Sequence, residues 1–323
     1  MKILILGGTY FLGKAFLETC DGNGDEITVL NRGSRPVPGN EDRHVHEILA
    51  DRRDAEALER AAAQFDPEGY DCIVDFCGYE AGDVRRVLEA ITASRKKAGK
   101  QGAGVRQYVF ISTCDVYRRG TGKTLDENAP LEERDFGGAE GAYICGKVAL
   151  EKELRQCAEE TINQVGGRMH YTSVRPAFIY GPGNYAPREG IFFRWVSKAG
   201  QILFPEDADG SFQMVYVKDL ARCIYACLGN ENFYDCAVNV CGENIDYQRF
   251  ADALEEAVEQ RIEKVMLPVA DVLSRGIPLP FPLTKTESET YADEKMKMLG
   301  VEMTALVQGM RETYAWFNKQ ETE

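Results

Sequence analysis

The chain has 323 residues, of which 44% are hydrophobic and 28% charged, with a formal net charge of −14. That length holds a large core and two lobes, and that composition is ordinary for a globular enzyme. So acidic a chain repels nucleic-acid backbones and anionic membranes, no apolar stretch approaches the roughly 18 residues of a membrane span, and Met1 and Lys2 run straight into the first strand with no room for a signal peptide; a cytoplasmic location is expected.

In chain order, apolar runs predict strands at Lys2–Leu6, Glu26–Asn31, His46–Ala50, Cys72–Cys77, Val105–Ser112 and His170–Arg175, with helical patterns between them, as at Asp54–Gln64 and Asp83–Ser94. Unbroken apolar strands alternating with helices describe an α/β fold with a doubly wound parallel sheet of the Rossmann type. The basic, glycine-rich Arg95–Gly104 reads as a solvated loop, and the polar Arg118–Gly141 as a mobile cover over a site. After Pro176 the alternation weakens. Asp219–Gly229 and Asp246–Gln260 read as helices, the second behind an Asp246 cap, and Ala237–Val240 as a short strand. Three prolines make Ile277–Leu283 irregular, and Leu306–Phe317 is the final helix. The expected division is a dinucleotide-binding domain over 1–175, with a later return around 213–242, and a smaller mixed α/β substrate lobe over 176–212 and 243–323. Ten scattered cysteines without a C-x-x-C pair read as reduced thiols. His44 and His46 alternate in a strand-like stretch, but the chain has only three histidines and no metal site is expected.

The chemistry begins at Ile3–Gly13, I-L-I-L-G-G-T-Y-F-L-G. A buried strand that ends in a glycine-rich turn and opens a helix aims backbone N–H groups and the positive helix end at one spot, which suits a pyrophosphate. Gly7 and Gly13 hold the outer places of the glycine pattern and Tyr10 the middle one, where a side chain pushes the pyrophosphate out or covers it; Gly8 takes over part of the missing role. At the end of the second strand, where NAD-specific sheets carry a carboxylate for the ribose 2′-OH, stands Asn31, followed by Arg32 and Arg35. An uncharged residue with guanidiniums favours the 2′-phosphate of NADP over NAD. Ile111–Tyr117, I-S-T-C-D-V-Y, closes the fifth strand, and Tyr143 and Lys147 lie four apart on one helix face. An ammonium beside a phenol lowers the tyrosine pKa, and a hydroxyl from Ser112 or Thr113 holds a substrate oxygen, a proton relay for hydride transfer at a carbinol or carbonyl carbon.

These segments together resemble the extended short-chain dehydrogenase/reductases, the NAD-dependent epimerase/dehydratase group. The resemblance covers nearly the whole chain. It rests on G-G-T-Y-F-L-G at 7–13, D-R-R-D at 51–54, S-T-C-D-V-Y at 112–117, Y-I-C-G-K at 143–147, R-P-A-F-I-Y-G-P-G-N at 175–184 and V-Y-V-K-D-L-A at 215–221. It implies Thr113 as the hydroxyl partner, Tyr143 as acid/base and Lys147 as its activator. It also implies a cofactor site of Gly7, Thr9, Tyr10, Phe11, Leu12, Gly13, Asn31, Arg32, Asp51, Arg52, Cys77, Gly78 and Ser112, with Pro176 and Ile179 near the nicotinamide. Sugar 4,6-dehydratases of the group place an acid two residues after the threonine. Asp115 stands there and is a candidate base for a proton α to a transient ketone. Nucleotide-sugar epimerases of the group usually carry an arginine before V-Y-V-x-D. Phe212 and Gln213 occupy that stretch, which leaves Arg175, Arg188, Arg194 and Arg222 as candidate phosphate grips, while the acidic loop Pro205–Asp209 would repel a diphosphate. The first-turn form G-G-T-x-F-x-G looks like a subgroup that includes chloroplast RNA-binding relatives. Two readings follow: an NAD(P)-dependent epimerase, dehydratase or reductase acting on a sugar or nucleotide sugar, or a cofactor-binding scaffold with an RNA-binding or regulatory role. The expected partners are a small-molecule substrate and a second copy of the chain in a homodimer, without membrane or nucleic acid.

Overall fold

Strand β1 (Lys2–Leu6) is apolar without alternation because both of its faces are covered: Ile3 and Ile5 enter one core, Leu4 and Leu6 the other. Each such fully buried side chain contributes about 1.5–3 kcal/mol. In this computed structural model, which describes residues 1–39, 45–162 and 167–322, β1 is an interior strand of a seven-stranded sheet. His44 lies outside the described residues.

The remaining strands are β2 (Glu26–Asn31), β3 (His46–Leu49), β4 (Tyr70–Asp75), β5 (Val105–Ile111), β6 (Thr124–Leu125), β7 (His170–Pro176), β8 (Phe178–Tyr180), β9 (Gln201–Pro205), β10 (Phe212–Tyr216), β11 (Cys236–Val240), β12 (Asn244–Ile245), β13 (Glu263–Leu267) and β14 (Thr290–Tyr291). The large sheet runs β11-β7-β5-β4-β1-β2-β3 and every neighbouring pair is parallel. Strand order reverses between β1 and β4, which opens a crevice beyond their C-terminal ends. The helix Leu12–Cys20 packs with Val217–Cys227 over one face of the sheet, and Asp83–Lys97 packs with Gly138–Glu160 over the other. The return of chain after β10 thus supplies both a covering helix and an edge strand. Buried Gln107 of β5 ties the end of that helix to the sheet, donating to Cys227 O at 3.0 Å and accepting from Gly229 N at 2.8 Å.

The remaining strands form three little sheets, β12-β10-β8, β13-β9 and β14-β6. Around them the core is aromatic and continuous with that under one face of the large sheet. Phe212 of β10 and Phe281 stack with centroids 4.1 Å apart, and Phe192, Tyr247 and Phe250 close around them. Phe281 therefore anchors the proline-rich segment. The helix Tyr247–Val258 is capped by Asp246, which accepts from Arg249 N at 2.7 Å.

Two stretches differ from the sequence reading. The helix expected to stop at Ser94 continues to Lys97, and Arg95 is buried rather than solvated: its guanidinium donates to Pro67 O at 2.8 Å, Gln101 O at 2.9 Å and Gly102 O at 3.4 Å, pinning the loop before β5. Arg118–Gly141 is not a cover, since none of these residues lines the cleft described below. Its first half is tied down by Arg118 N to Pro130 O (2.9 Å) and Glu132 N to Val116 O (2.7 Å). All ten cysteines are free thiols. Among the described residues no helix is long and apolar enough to cross a membrane, and no three His, Cys, Asp or Glu side chains are grouped to hold a metal.

Candidate functional site

The crevice at the strand-order reversal is a cleft of about 660 Å³. Every residue singled out from the sequence as catalytic or cofactor-binding lines it except Gly78, which acts one step back through its carbonyl.

The glycine turn forms its floor. Gly7 and Gly8 have φ of 92° and 89°, the left-handed region that glycine adopts freely. A side chain at Gly8 would come within 2.8 Å of Ile5, and one at Gly13 would press into the Gly8 backbone, so the turn and the helix start need both glycines. Phe11, a non-glycine residue, is held at φ 45° as the N-cap of the helix Leu12–Cys20, and no side chain caps that helix. Gly13 N donates to Tyr10 O at 3.1 Å, and with no side-chain cap the positive end of the helix still faces the cleft. Tyr10 projects outward and is 39% exposed. The Arg35 guanidinium lies 3.8 Å from its ring centroid.

At one end of the cleft Asn31 is buried, but its side chain is committed: Nδ2 donates to Glu47 at 2.7 Å and Oδ1 accepts from Gly33 N at 2.6 Å. Arg52 reaches under the cleft to Asp75, with paired bonds of 2.7 and 2.8 Å. Tyr108 donates to the same carboxylate at 2.7 Å. Burial alone would push Asp75 up, but Arg52 and Tyr108 hold it below the usual carboxylate range. Among the described residues, Arg52 Nε and Ser112 Oγ are buried at the cleft without a hydrogen-bond partner, which fits a polar ligand there.

At the other end stand Thr113, Asp115, Tyr143 and Lys147. Lys147 projects from the helix Gly138–Glu160 into the sheet, where its ammonium donates to Gly78 O at 2.9 Å and Ile111 O at 2.8 Å. Burial brings its pKa down to about 8, against the opposing pull of Asp75. Its Nζ lies 5.7 Å from the Tyr143 ring centroid. The Tyr143 pKa is nonetheless not lowered overall. Although Tyr143 is 38% exposed, its phenol end loses water inside the cleft and its pKa goes up to about 12; the Asp115 charge adds to this, while Thr113 and Arg188 oppose it. Thr113 is also placed differently from expectation: its hydroxyl donates to Asp115 Oδ2 at 3.1 Å and accepts from Asp115 N at 3.2 Å. Arg119 bridges Asp115 (3.6 Å) and Glu140 (2.8 Å). Cys114 turns away and donates to Arg175 O.

Of the four candidate arginines only Arg188 lines the cleft. It lies over the Phe178 ring at 5.0 Å, donates to Ile179 O at 3.2 Å, and has no carboxylate within 4 Å among the described residues. Arg175 is buried against Glu151 (2.6 Å), Arg222 is bound to Asp219 (2.6 Å), and Arg194 faces solvent away from the cleft. Gln213, where the resemblance implies an arginine, instead accepts from Tyr291 N at 2.7 Å and donates to Tyr291 O at 3.2 Å, which sets Tyr291 into the cleft wall. The acidic loop Pro205–Asp209 is not part of the lining.

Sequence reasoning missed Tyr79, Tyr185 and Tyr291. Tyr185 follows directly on the quoted G-P-G-N and could have been flagged. Tyr291 reaches the site from a two-residue strand with no local signal.

The chain is similar to known proteins in sequence and in fold. The chloroplast stem-loop binding protein of 41 kDa b from Arabidopsis thaliana is 28% identical over 268 residues, 79% of this chain; the chain spans 63% of that relative's length. Among solved structures, UDP-glucose 4-epimerase of Thermus thermophilus in complex with NAD aligns with a TM-score of 0.72 at 22% identity, over 98% of this chain and 99% of that one. The dTDP-glucose 4,6-dehydratase of Bacillus anthracis str. Ames in complex with NAD aligns with a TM-score of 0.70 at 17% identity, over 100% and 98%. At such identities the structures establish the fold. The family model "NAD dependent epimerase/dehydratase family" matches residues 3–241, and the chain belongs to that family.

Proposed function

We propose that this chain is an NAD(P)-dependent enzyme acting on a hydroxyl or carbonyl of a sugar or nucleotide sugar, by an epimerase, dehydratase or reductase route. The observation that carries this reading is the meeting of Tyr143, Thr113 and Lys147 at one end of a cleft whose floor is an uncapped glycine turn. The two solved structures named above are a UDP-glucose 4-epimerase and a dTDP-glucose 4,6-dehydratase, each in complex with NAD, which supports the substrate class. The dinucleotide, when bound, supplies the hydride acceptor. Tyr143 takes the substrate's hydroxyl proton. With a pKa near 12 the phenol is almost wholly protonated at neutral pH and takes that proton only as the phenolate, so it depends on the Lys147 ammonium, which at about 8 is still mostly charged there. Thr113 has one proton: given to Asp115, it leaves the oxygen to accept from a substrate hydroxyl; turned to Tyr143, it stabilises the phenolate. Asp115, 36% open, is the candidate base for dehydration. Arg188 supports a substrate with a phosphate or carboxylate. For the cofactor, the amide at the end of β2 and the exposed Arg32, whose charge also acts on Asp51, favour NADP; Arg35 is already engaged by Tyr10.

Purified protein is expected to release a nicotinamide dinucleotide on heating, identified by mass spectrometry, and to bind NADPH more tightly than NADH. Absence of binding to either sinks the enzyme reading, and tighter NADH binding reverses the cofactor preference alone. The relative's name supports a second reading, a stem-loop-binding scaffold. The net charge of −14 opposes it, and salt-dependent RNA retention without carbonyl turnover would favour it.

A further inference from the structure

Tyr10 puts a ring where a glycine would leave the pyrophosphate turn bare. Two groups from elsewhere in the chain hold that ring. Arg35, from the loop after β2, lies 3.8 Å from its centroid, and Tyr185, from the loop after β8 in the other lobe, stacks on it with centroids 5.7 Å apart and planes at 30°. Tyr185 also meets Phe11 edge-on at 6.0 Å, and the chain at Gly183 runs against Phe11. All of these groups line the cleft except Gly183, yet Tyr10 is 39% and Tyr185 69% exposed, so the stack sits at the rim and not on the floor. The backbone that presents the ring is fixed, because Phe11 is held at φ 45° between the turn and its helix.

We propose that Arg35, Tyr10 and Tyr185 form a clasp across the mouth of the cleft that retains the dinucleotide through successive turnovers. The proposal rests on reading the cleft as a dinucleotide site. It joins the two walls directly over the glycine turn, the part of the floor that a pyrophosphate would occupy. Face contacts of aromatic rings and guanidiniums are individually weak, so the clasp opens spontaneously but seldom, and entry and exit both wait for it. A dinucleotide that exchanges slowly suits chemistry in which the hydride taken from the substrate carbon returns to the substrate before product leaves; the proton taken by Tyr143 returns with it in an epimerase and is balanced by the expelled water in a dehydratase. No outside reductant is then needed. The clasp therefore selects the epimerase and dehydratase routes over the reductase route, which must exchange its cofactor at every turnover.

The test is a chase. Protein loaded with NADH, and in a parallel series NADPH, is mixed with excess oxidised dinucleotide while the bound nicotinamide fluorescence is followed. Tyr185→Ala and Tyr10→Gly are each expected to speed release about tenfold. Tyr185→Phe and Tyr10→Phe should keep the slow release, because rings and not hydroxyls make the contacts. The double variant Tyr10→Gly/Tyr185→Ala should release hardly faster than either single variant, since both remove one contact. Tyr185 is exposed, so its removal leaves the core intact. Unchanged release from Tyr185→Ala with the cofactor still bound, or single effects that multiply to about a hundredfold in the double variant, overturns the clasp alone. If neither NADH nor NADPH binds, the cofactor reading falls and takes the clasp with it.

Discussion

On the wall of the cleft built by the large sheet, charged side chains are dry and committed: Arg52 to Asp75 and Lys147 to two backbone carbonyls. On the facing wall, from Pro176 onward, Tyr185 stands open to solvent and Arg188 has no carboxylate partner among the described residues. The first wall commits Asp75, Lys147 and the Arg52 amino groups to its own geometry, which fixes where a proton can be held, and leaves Arg52 Nε and Ser112 Oγ for a ligand. The second keeps its polar groups for something that arrives. Preorganised chemistry and adaptable binding are thus divided between two parts of one chain.

Four substitutions probe that division. Tyr143→Phe should cut turnover by about 10²- to 10⁴-fold while the dissociation constant for the dinucleotide stays as it was. Intact turnover would mean that the sheet wall does not carry the chemistry. Arg52→Met strands the buried Asp75 and should cost about 3–5 kcal/mol in urea unfolding; an unchanged midpoint would show that this wall is wetter than its contacts imply. Lys147→Met should reveal a pH signature. Because the folded-state pKa, about 8, lies below the ordinary 10.5, the unfolded chain holds a proton that the native one has lost between those values. The lysine's contribution to stability therefore rises with pH across that window, by roughly 3 kcal/mol, and is flat below it. A wild-type-minus-variant stability curve without that rise would place the ammonium in water. The smallest effect is expected on the facing wall. Arg188→Gln should weaken UDP binding to the cofactor-loaded protein about tenfold and leave NADH binding alone. Equal UDP affinity would remove the anionic group from the substrate description.

The sheet wall was legible because its groups sit at strand–helix junctions a few residues apart. G-G-T-Y-F-L-G, S-T-C-D-V-Y and Y-x-x-x-K each place their residues by local geometry, and β1 and β2 run over the stretches that the apolar pattern marks. Two things were not legible. The direction of the Tyr143 shift depends on how much water the closed cleft admits, which no spacing reports. The fate of each arginine depends on partners that its own motif does not announce: the distant Glu151 for Arg175, the nearby Asp219 and distant Glu302 for Arg222, and the distant Pro67 with two nearby loop carbonyls for Arg95. Sequence marks a guanidinium; only the fold says whether it is already engaged. The facing wall was harder still, because its sheets have two to five residues per strand and its tyrosines come from loops.

The edge strand β11 has a consequence for how the molecule can be made and cut. A chain ended after β7 would lack Val217–Cys227 from one face and would leave the backbone of β7 open along its length, a template for pairing with another copy. The ribosome reaches Val240 long after the glycine turn has emerged, so the nascent sheet waits unfinished, and its early and late strands are expected to mature as one cooperative unit rather than in sequence.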